Sequence, residues 1–231
     1  MIKQLRSFSI PDNRALKVAI SGGIGSGKTE FTNCLAALGG VRFDADEVLR
    51  AATGPQGSAT AQIREIFGEV VWEPEGQLNR AALAQLIFSD PAAKVRLEGI
   101  LHPLVWQEMD RVLADLGAED VLVAEIPLLT ETGNHTRFDC CVMVDSPLEV
   151  RLARLTRDRQ LTEAQARERI DAQASRAQRE AIATFWVDNC GTRGDLDADA
   201  AALWKILSDR PVPELSGFAK HGGSDLPTLG L

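Results

Sequence analysis

The segment Gly22-Gly23-Ile24-Gly25-Ser26-Gly27-Lys28-Thr29 fits the spacing G-x-x-x-x-G-K-[ST] in full. Its chemistry follows from the residue types. Glycines let successive backbone N–H groups turn toward one anion without Cβ clashes. A helix starting at such a loop adds its own unpaired N–H groups and the positive end of its dipole. Lys28 brings a point charge to the β and γ phosphates of a nucleotide, and Thr29 offers a hydroxyl to Mg²⁺. The expected ligands are therefore ATP and Mg²⁺.

Phosphoryl transfer to an alcohol also needs a carboxylate near the acceptor and cations near the transferring group. Asp44-Ala45-Asp46 follows a short apolar run, where an Asp can accept a proton from a hydroxyl or help hold Mg²⁺. Either Asp can equally serve as a helix N-cap. Glu125 ends the run Val121-Leu122-Val123-Ala124, and Asp145 ends another apolar run; either is a candidate for the metal. Arg151, Arg154, Arg157 and Arg159 are the candidate cations, with a solvated helix face as the alternative. Asn189 and Gly191 form a turn that suits the edge of an adenine or an ordinary Asn/Gly turn. His102, among Leu101, Leu104 and Val105, fits a core position as well as a ligand contact.

These groups need a scaffold. Val18-Ala19-Ile20 reads as a strand before the glycine loop, and Phe31, Leu35 and Leu38 as one face of the helix after it. Val41–Phe43, Val121–Ala124, Cys140–Val144 and a run ending at Val187 read as further strands. Continuously apolar strands require a parallel sheet covered on both faces. The fold class is thus α/β: a three-layer α/β/α P-loop NTPase with a parallel sheet. The expected division places the nucleotide core at 16–53, 119–145 and 183–208. A helical substrate domain occupies 54–118, broken by Glu73-Pro74-Glu75-Gly76, and lid helices occupy 146–182. Leu148, Leu152 and Leu155 form the apolar side of the first lid helix. Residues 1–15 read as an N-terminal extension without an element, and 209–231 as a disordered tail.

Composition excludes other classes. The 231 residues carry a net charge of -8, which repels nucleic acid and anionic membrane. No apolar run approaches the ~18 residues of a membrane span. Cys34, Cys140, Cys141 and Cys190 fit no zinc or redox spacing, so free thiols in a reducing cytoplasm are expected. No guanine-reading Asn-Lys-x-Asp is present. Another small-molecule P-loop kinase, or a nucleotide-binding regulator without turnover, stays open at this point.

Taken together, SGGIGSGKT (21–29), FDADEVLR (43–50), GQLNRAAL (76–83), LEGILHPLV (97–105), EIPLLTETG (125–133), VDSPLEVRLARL (144–155), AQASRAQRE (172–180) and VDNCGT (187–192) resemble the dephospho-coenzyme A kinase family. The resemblance implies ATP-dependent phosphorylation of the ribose 3′-hydroxyl of dephospho-coenzyme A. A monomer in the cytoplasm is the expected form. It implies that Lys28 holds the phosphates, that Asp46 is the base, and that Arg154 is a lid arginine at ATP. It further implies that Asn189 lines the adenine site, that Arg80 and His102 meet the substrate, and that Thr29, Asp46 and Glu125 serve the metal. Glu125 departs from the family's Asp before Ile-Pro-Leu-Leu, which puts its metal contact in question.

Overall fold

The computed structural model describes residues 1–209. The segment from Arg210 lies outside the described residues, and with it the expectation of a disordered tail. Six strands form one sheet: β1 (Ile2–Gln4), β2 (Leu16–Ser21), β3 (Val41–Asp44), β4 (Val121–Glu125), β5 (Cys140–Asp145) and β6 (Phe185–Asp188). Their order is β1-β6-β5-β2-β4-β3. All pairs are parallel except β1–β6. The parallel strands are short and largely buried, as two covered faces demand. β2 sits centrally, and the chain leaves it first toward β3 and later toward β5. The loop after β2 therefore opens at the topological switch point, where such sheets bind ligands.

Phe31 and Leu35 of α1 (Lys28–Ala37) and Leu196, Leu203 and Leu207 of α10 (Arg193–Ser208) cover one face of the sheet. The other face packs Val105 and Met109 of α5 (Pro91–Ala114) and Leu129 of the short α6 (Leu129–Thr132). Between β3 and β4 the chain inserts α2 (Ala45–Ala52), α3 (Thr60–Phe67), α4 (Arg80–Ser89) and α5. Ile63, Phe67, Trp72, Leu83, Leu97 and Ile100 give this insertion a core of its own. Its loop at Glu73–Gly76 is closed by a bridge between Trp72 and Leu78. The next pair, α7 (Leu148–Arg159) and α8 (Glu163–Asp171), packs Leu152, Leu155 and Ala166 around Ile24 of the glycine loop. The five-residue α9 (Arg176–Glu180) leads into β6.

Two features differ from the sequence reading. Residues 2–4, without an expected element, add an antiparallel edge strand to β6, with Ile2 opposite Val187. Three residues carry no readable period, and their pairing depends on β6, far away in sequence. On α7 the expected apolar side is incomplete. Leu148 stays 41% exposed while Arg151 is buried, because the Arg151 guanidinium donates to the Ile24 carbonyl (Nε to O, 2.8 Å).

Candidate active site

The loop from Gly22 to Gly27 joins β2 to α1, and no side chain caps the helix it starts. The first N–H groups of α1 are thus free for an anion. Gly27 has φ +94°, and a Cβ there would strike the Asn189 amide nitrogen. A Cβ on Gly22 would strike the Val144 carbonyl. Glycine is required at both positions for the loop to lie this close to β5 and to the turn after β6.

Lys28 folds back on the loop, its Nζ donating to the carbonyls of Gly22 (3.0 Å) and Gly23 (3.2 Å). Burial lowers its pKa to about 8, against the attraction of Glu125. The Thr29 hydroxyl donates to Glu125 Oε1 (2.8 Å), while Glu125 Oε2 is buried without a partner. Burial raises the Glu125 pKa, and Thr29 and Lys28 oppose the rise. Asp145 has a different environment. Its carboxylate pairs with Arg179 (3.2 Å) and Arg176 (3.1 Å), so its charge is spent on the segment before β6. Of the two strand-end acids, only Glu125 faces the loop.

The Asp pair divides as sharply. Asp44 is the N-cap of α2, accepting from the N–H groups of Asp46 (2.8 Å) and Glu47 (3.1 Å), and it pairs with Arg42. That leaves the Asp46 side chain for the cavity. Burial raises its pKa first and the nearby Asp44 second, while Arg50, Lys28 and Arg159 pull it down.

The four arginines of α7 also separate. Arg157 forks onto its neighbour Asp158 in solvent. Arg151 is buried behind the loop. Arg154 lies over the loop, donating to the carbonyls of Gly25, Ser26 and Asn189 and to the Ser146 hydroxyl. Arg159 reaches the same cavity. Asn189 is buried and donates from Nδ2 to the Ser26 carbonyl (2.8 Å), bracing the loop from the β6 side.

A cavity of about 480 Å³ brings together Ile24, Gly25, Gly27, Lys28, Thr29, Asp46, Glu125, Arg154 and Arg159. A second, of about 410 Å³, runs into the helical insertion. Leu49, Leu78, Leu83, Ile87, Leu97 and Leu101 make its apolar wall, with Arg50, Arg80 and Asp46 as its charges. Asp46 lines both. Arg80 also donates to the Thr53 hydroxyl (2.9 Å). His102, next to Leu101 on α5, is half-buried and lines neither cavity. Arg159 is one of the four candidate cations of α7, and the structure brings it to the phosphate cavity with Arg154. Sequence reasoning missed Arg50 and Gln173: Arg50 ends the charged run FDADEVLR, and Gln173 lies in AQAS, where nothing local marks an amide as special.

The family profile of dephospho-CoA kinase matches residues 16–195. The chain belongs to the dephospho-CoA kinase family. A dephospho-CoA kinase of Thermobifida fusca is 40% identical over 195 residues, covering 84% of this chain and 98% of that one. A relative of the same name from Mycolicibacterium paratuberculosis is 40% identical over 198 residues, and the chain spans only 48% of that longer protein. Among solved structures, TT1252 of Thermus thermophilus superposes with a TM-score of 0.74 at 32% identity, covering 84% of this chain and 98% of that one. A dephospho-CoA kinase from Campylobacter jejuni, at 21% identity, shares the fold with a TM-score of 0.62, over 83% and 96%. As a dephospho-CoA kinase family member the chain is a transferase with a P-loop nucleotide site. No helix among the described residues is long and apolar enough to cross a membrane.

Proposed function

We propose that this chain transfers the γ-phosphoryl group of ATP to the ribose 3′-hydroxyl of dephospho-coenzyme A, giving coenzyme A and ADP, with Asp46 as the base. The supporting observation is that, among the described residues, Asp46 alone of the carboxylates lines both the phosphate cavity and the cavity in the helical insertion. A hydroxyl presented from the second cavity would meet Asp46 beside Lys28. The raised pKa of Asp46 suits a group that must accept a proton.

The adenosine triphosphate would lie with its phosphates on the N–H groups of the loop and of α1. Lys28 would turn from the Gly22 and Gly23 carbonyls to the phosphate oxygens. Arg154 and Arg159 would neutralise charge spreading over the transferring group. Asn189, under Arg154 at the far end of the loop, would stand at the adenine. Arg50 and Arg80 offer two cations for the substrate's diphosphate, and the leucine wall offers a surface for its pantetheine arm. His102 would act from behind Leu101, not in contact with either ligand.

Glu125 and Thr29 fit Mg²⁺. Both are hard oxygen donors at the phosphate cavity, and the buried, unpartnered Oε2 of Glu125 is the kind of atom an ion or its water would satisfy. Held by Thr29 and Glu125, the ion would supply positive charge to the phosphates. Glu125 reaches Thr29 directly, so the longer side chain still meets the loop despite departing from Asp. The net charge of -8 supports a small-molecule kinase without nucleic-acid or membrane partners, and the free thiols support a reducing cytoplasm.

The test is ADP release with ATP, Mg²⁺ and dephospho-coenzyme A, beside adenosine, AMP and gluconate. Release that requires dephospho-coenzyme A and yields coenzyme A is expected. Release with another acceptor alone would discard the substrate assignment.

A further inference from the structure

Ile24, at the tip of the phosphate loop, is held in three ways by the lid. Its side chain packs with Leu152, Leu155 and Ala166. Its carbonyl accepts from Arg151 Nε (2.8 Å). Its N–H donates to Gln173 Oε1 (2.7 Å), and the same oxygen accepts from Arg151 Nη2 (3.3 Å). Both partners of that Gln173 atom are donors, which fixes it as the amide oxygen. Ile24, Arg151 and Gln173 thus close a ring of hydrogen bonds between the loop, α7 and the segment after α8.

Gln173 also stands in a wall. It lines the phosphate cavity, and it lines a neighbouring cavity of about 390 Å³ whose mixed wall includes Asp145, Arg176 and Arg179 beside Leu148 and Ile170. The charged groups of Asp145, Arg176 and Arg179 in that wall are ones that water hydrates. Among the described residues, Gln173 is the one common to the two linings.

We propose that Gln173 is a positioning residue of the transfer: it fixes the loop tip to the lid and shuts the nucleotide cavity off from water beside it. This rests on the reading of the chain as a kinase with an alcohol acceptor. The competing reaction is hydrolysis, in which water supplies the oxygen that attacks the γ phosphorus, ADP leaves, and inorganic phosphate is the product. Keeping water out decides between the two. A loop tip held on both backbone groups also cannot drift from the phosphates, and small misplacements are costly to the reaction.

The experiment measures ADP and coenzyme A formed per turnover in the wild-type chain, Gln173→Ala and Gln173→Glu, each with its thermal midpoint. Wild type is expected to form one ADP per coenzyme A; wild type forming no coenzyme A would overturn the functional reading instead. Gln173→Ala loses the acceptor and opens the wall. It should raise the KM for ATP about tenfold, as loss of hydrogen bonds to a charged partner would, and release ADP in excess of coenzyme A. Gln173→Glu keeps the size and the acceptor but adds a negative charge near the phosphates. It should stay coupled at one to one with a raised KM for ATP. A one-to-one Gln173→Ala with unchanged KM overturns the proposal. If Gln173→Ala shows no folding transition, Gln173→Glu decides: excess ADP or an unchanged KM for ATP overturns it, and a coupled enzyme with raised KM supports it.

Discussion

The two cavities that meet at Asp46 are built by different physics. On the nucleotide side, directional bonds set the shape. The Ser26 carbonyl alone accepts from Arg154, Asn189 and Ser146, and the loop's glycines leave no room for Cβ atoms at Gly22 and Gly27. On the side of the helical insertion, a short chain of side-chain bonds, Arg80 to Thr53 and Thr53 to the Leu49 carbonyl, accompanies a wall of leucines and Ile87. Hydrogen-bonded geometry tolerates little change in residue type, whereas apolar packing tolerates volume-conserving exchange. The first region should therefore fail abruptly when altered, and the second by degrees.

The largest expected effect lies where the regions touch. Asp46→Asn should lower kcat by about 10³-fold, the middle of the range for a general base, and leave the Kd for ATP nearly unchanged by calorimetry. Near-normal turnover would detach Asp46 from the chemistry. Next, Arg154→Ala should lower kcat by about 10²-fold, a typical loss for one preorganised donor. Arg154→Lys should not restore it, since one ammonium cannot span the carbonyls of Ser26 and Asn189. Full rescue by lysine would reduce the role of Arg154 to simple charge.

On the acceptor side, Arg80→Ala should raise the KM for dephospho-coenzyme A about tenfold while the KM for ATP stays put. Equal changes in both would mean that the cavities are not independent. The smallest effect is in pH. Lys28 is needed as the ammonium, and its pKa in the free enzyme is lowered to about 8. Deprotonation on passing from pH 7 to pH 8 should then reduce kcat/KM for ATP about twofold, because that parameter reports the free enzyme. At the other limb the raised Asp46 must lose its proton, so activity should fall with decreasing pH before the ordinary carboxylate range is reached.

The same contrast explains what the sequence reveals. The glycine loop is contiguous, and its function depends on residue type at each step, so Lys28 and Thr29 are legible from spacing alone. The parallel strands are legible because burial on both faces leaves only apolar residues. The choice between Asp44 and Asp46 is not legible by position. It becomes so once Asp44 is seen to cap α2, a contact that consumes its side chain. Arg151, Arg154, Arg157 and Arg159 look alike on a helix, and only the loop packed against α7 sorts them. The cavity in the helical insertion gathers residues from Asp46 to Leu101 across three helices, and no local pattern announces it. Gln173 is invisible for a similar reason, since its partner Ile24 lies far back in the chain.

The family profile begins at residue 16, so β1 lies outside it. A parallel sheet that ended at β6 would present Phe185-Trp186-Val187 as an open edge, the kind of template on which molecules add strand to strand and precipitate. β1 takes that position. It is only three residues long, runs antiparallel, and puts Lys3 beside Asp188. A short strand carrying a lysine is a poor template for further growth. A chain trimmed to the family boundary would keep every residue of the two cavities and lose its guard against self-association.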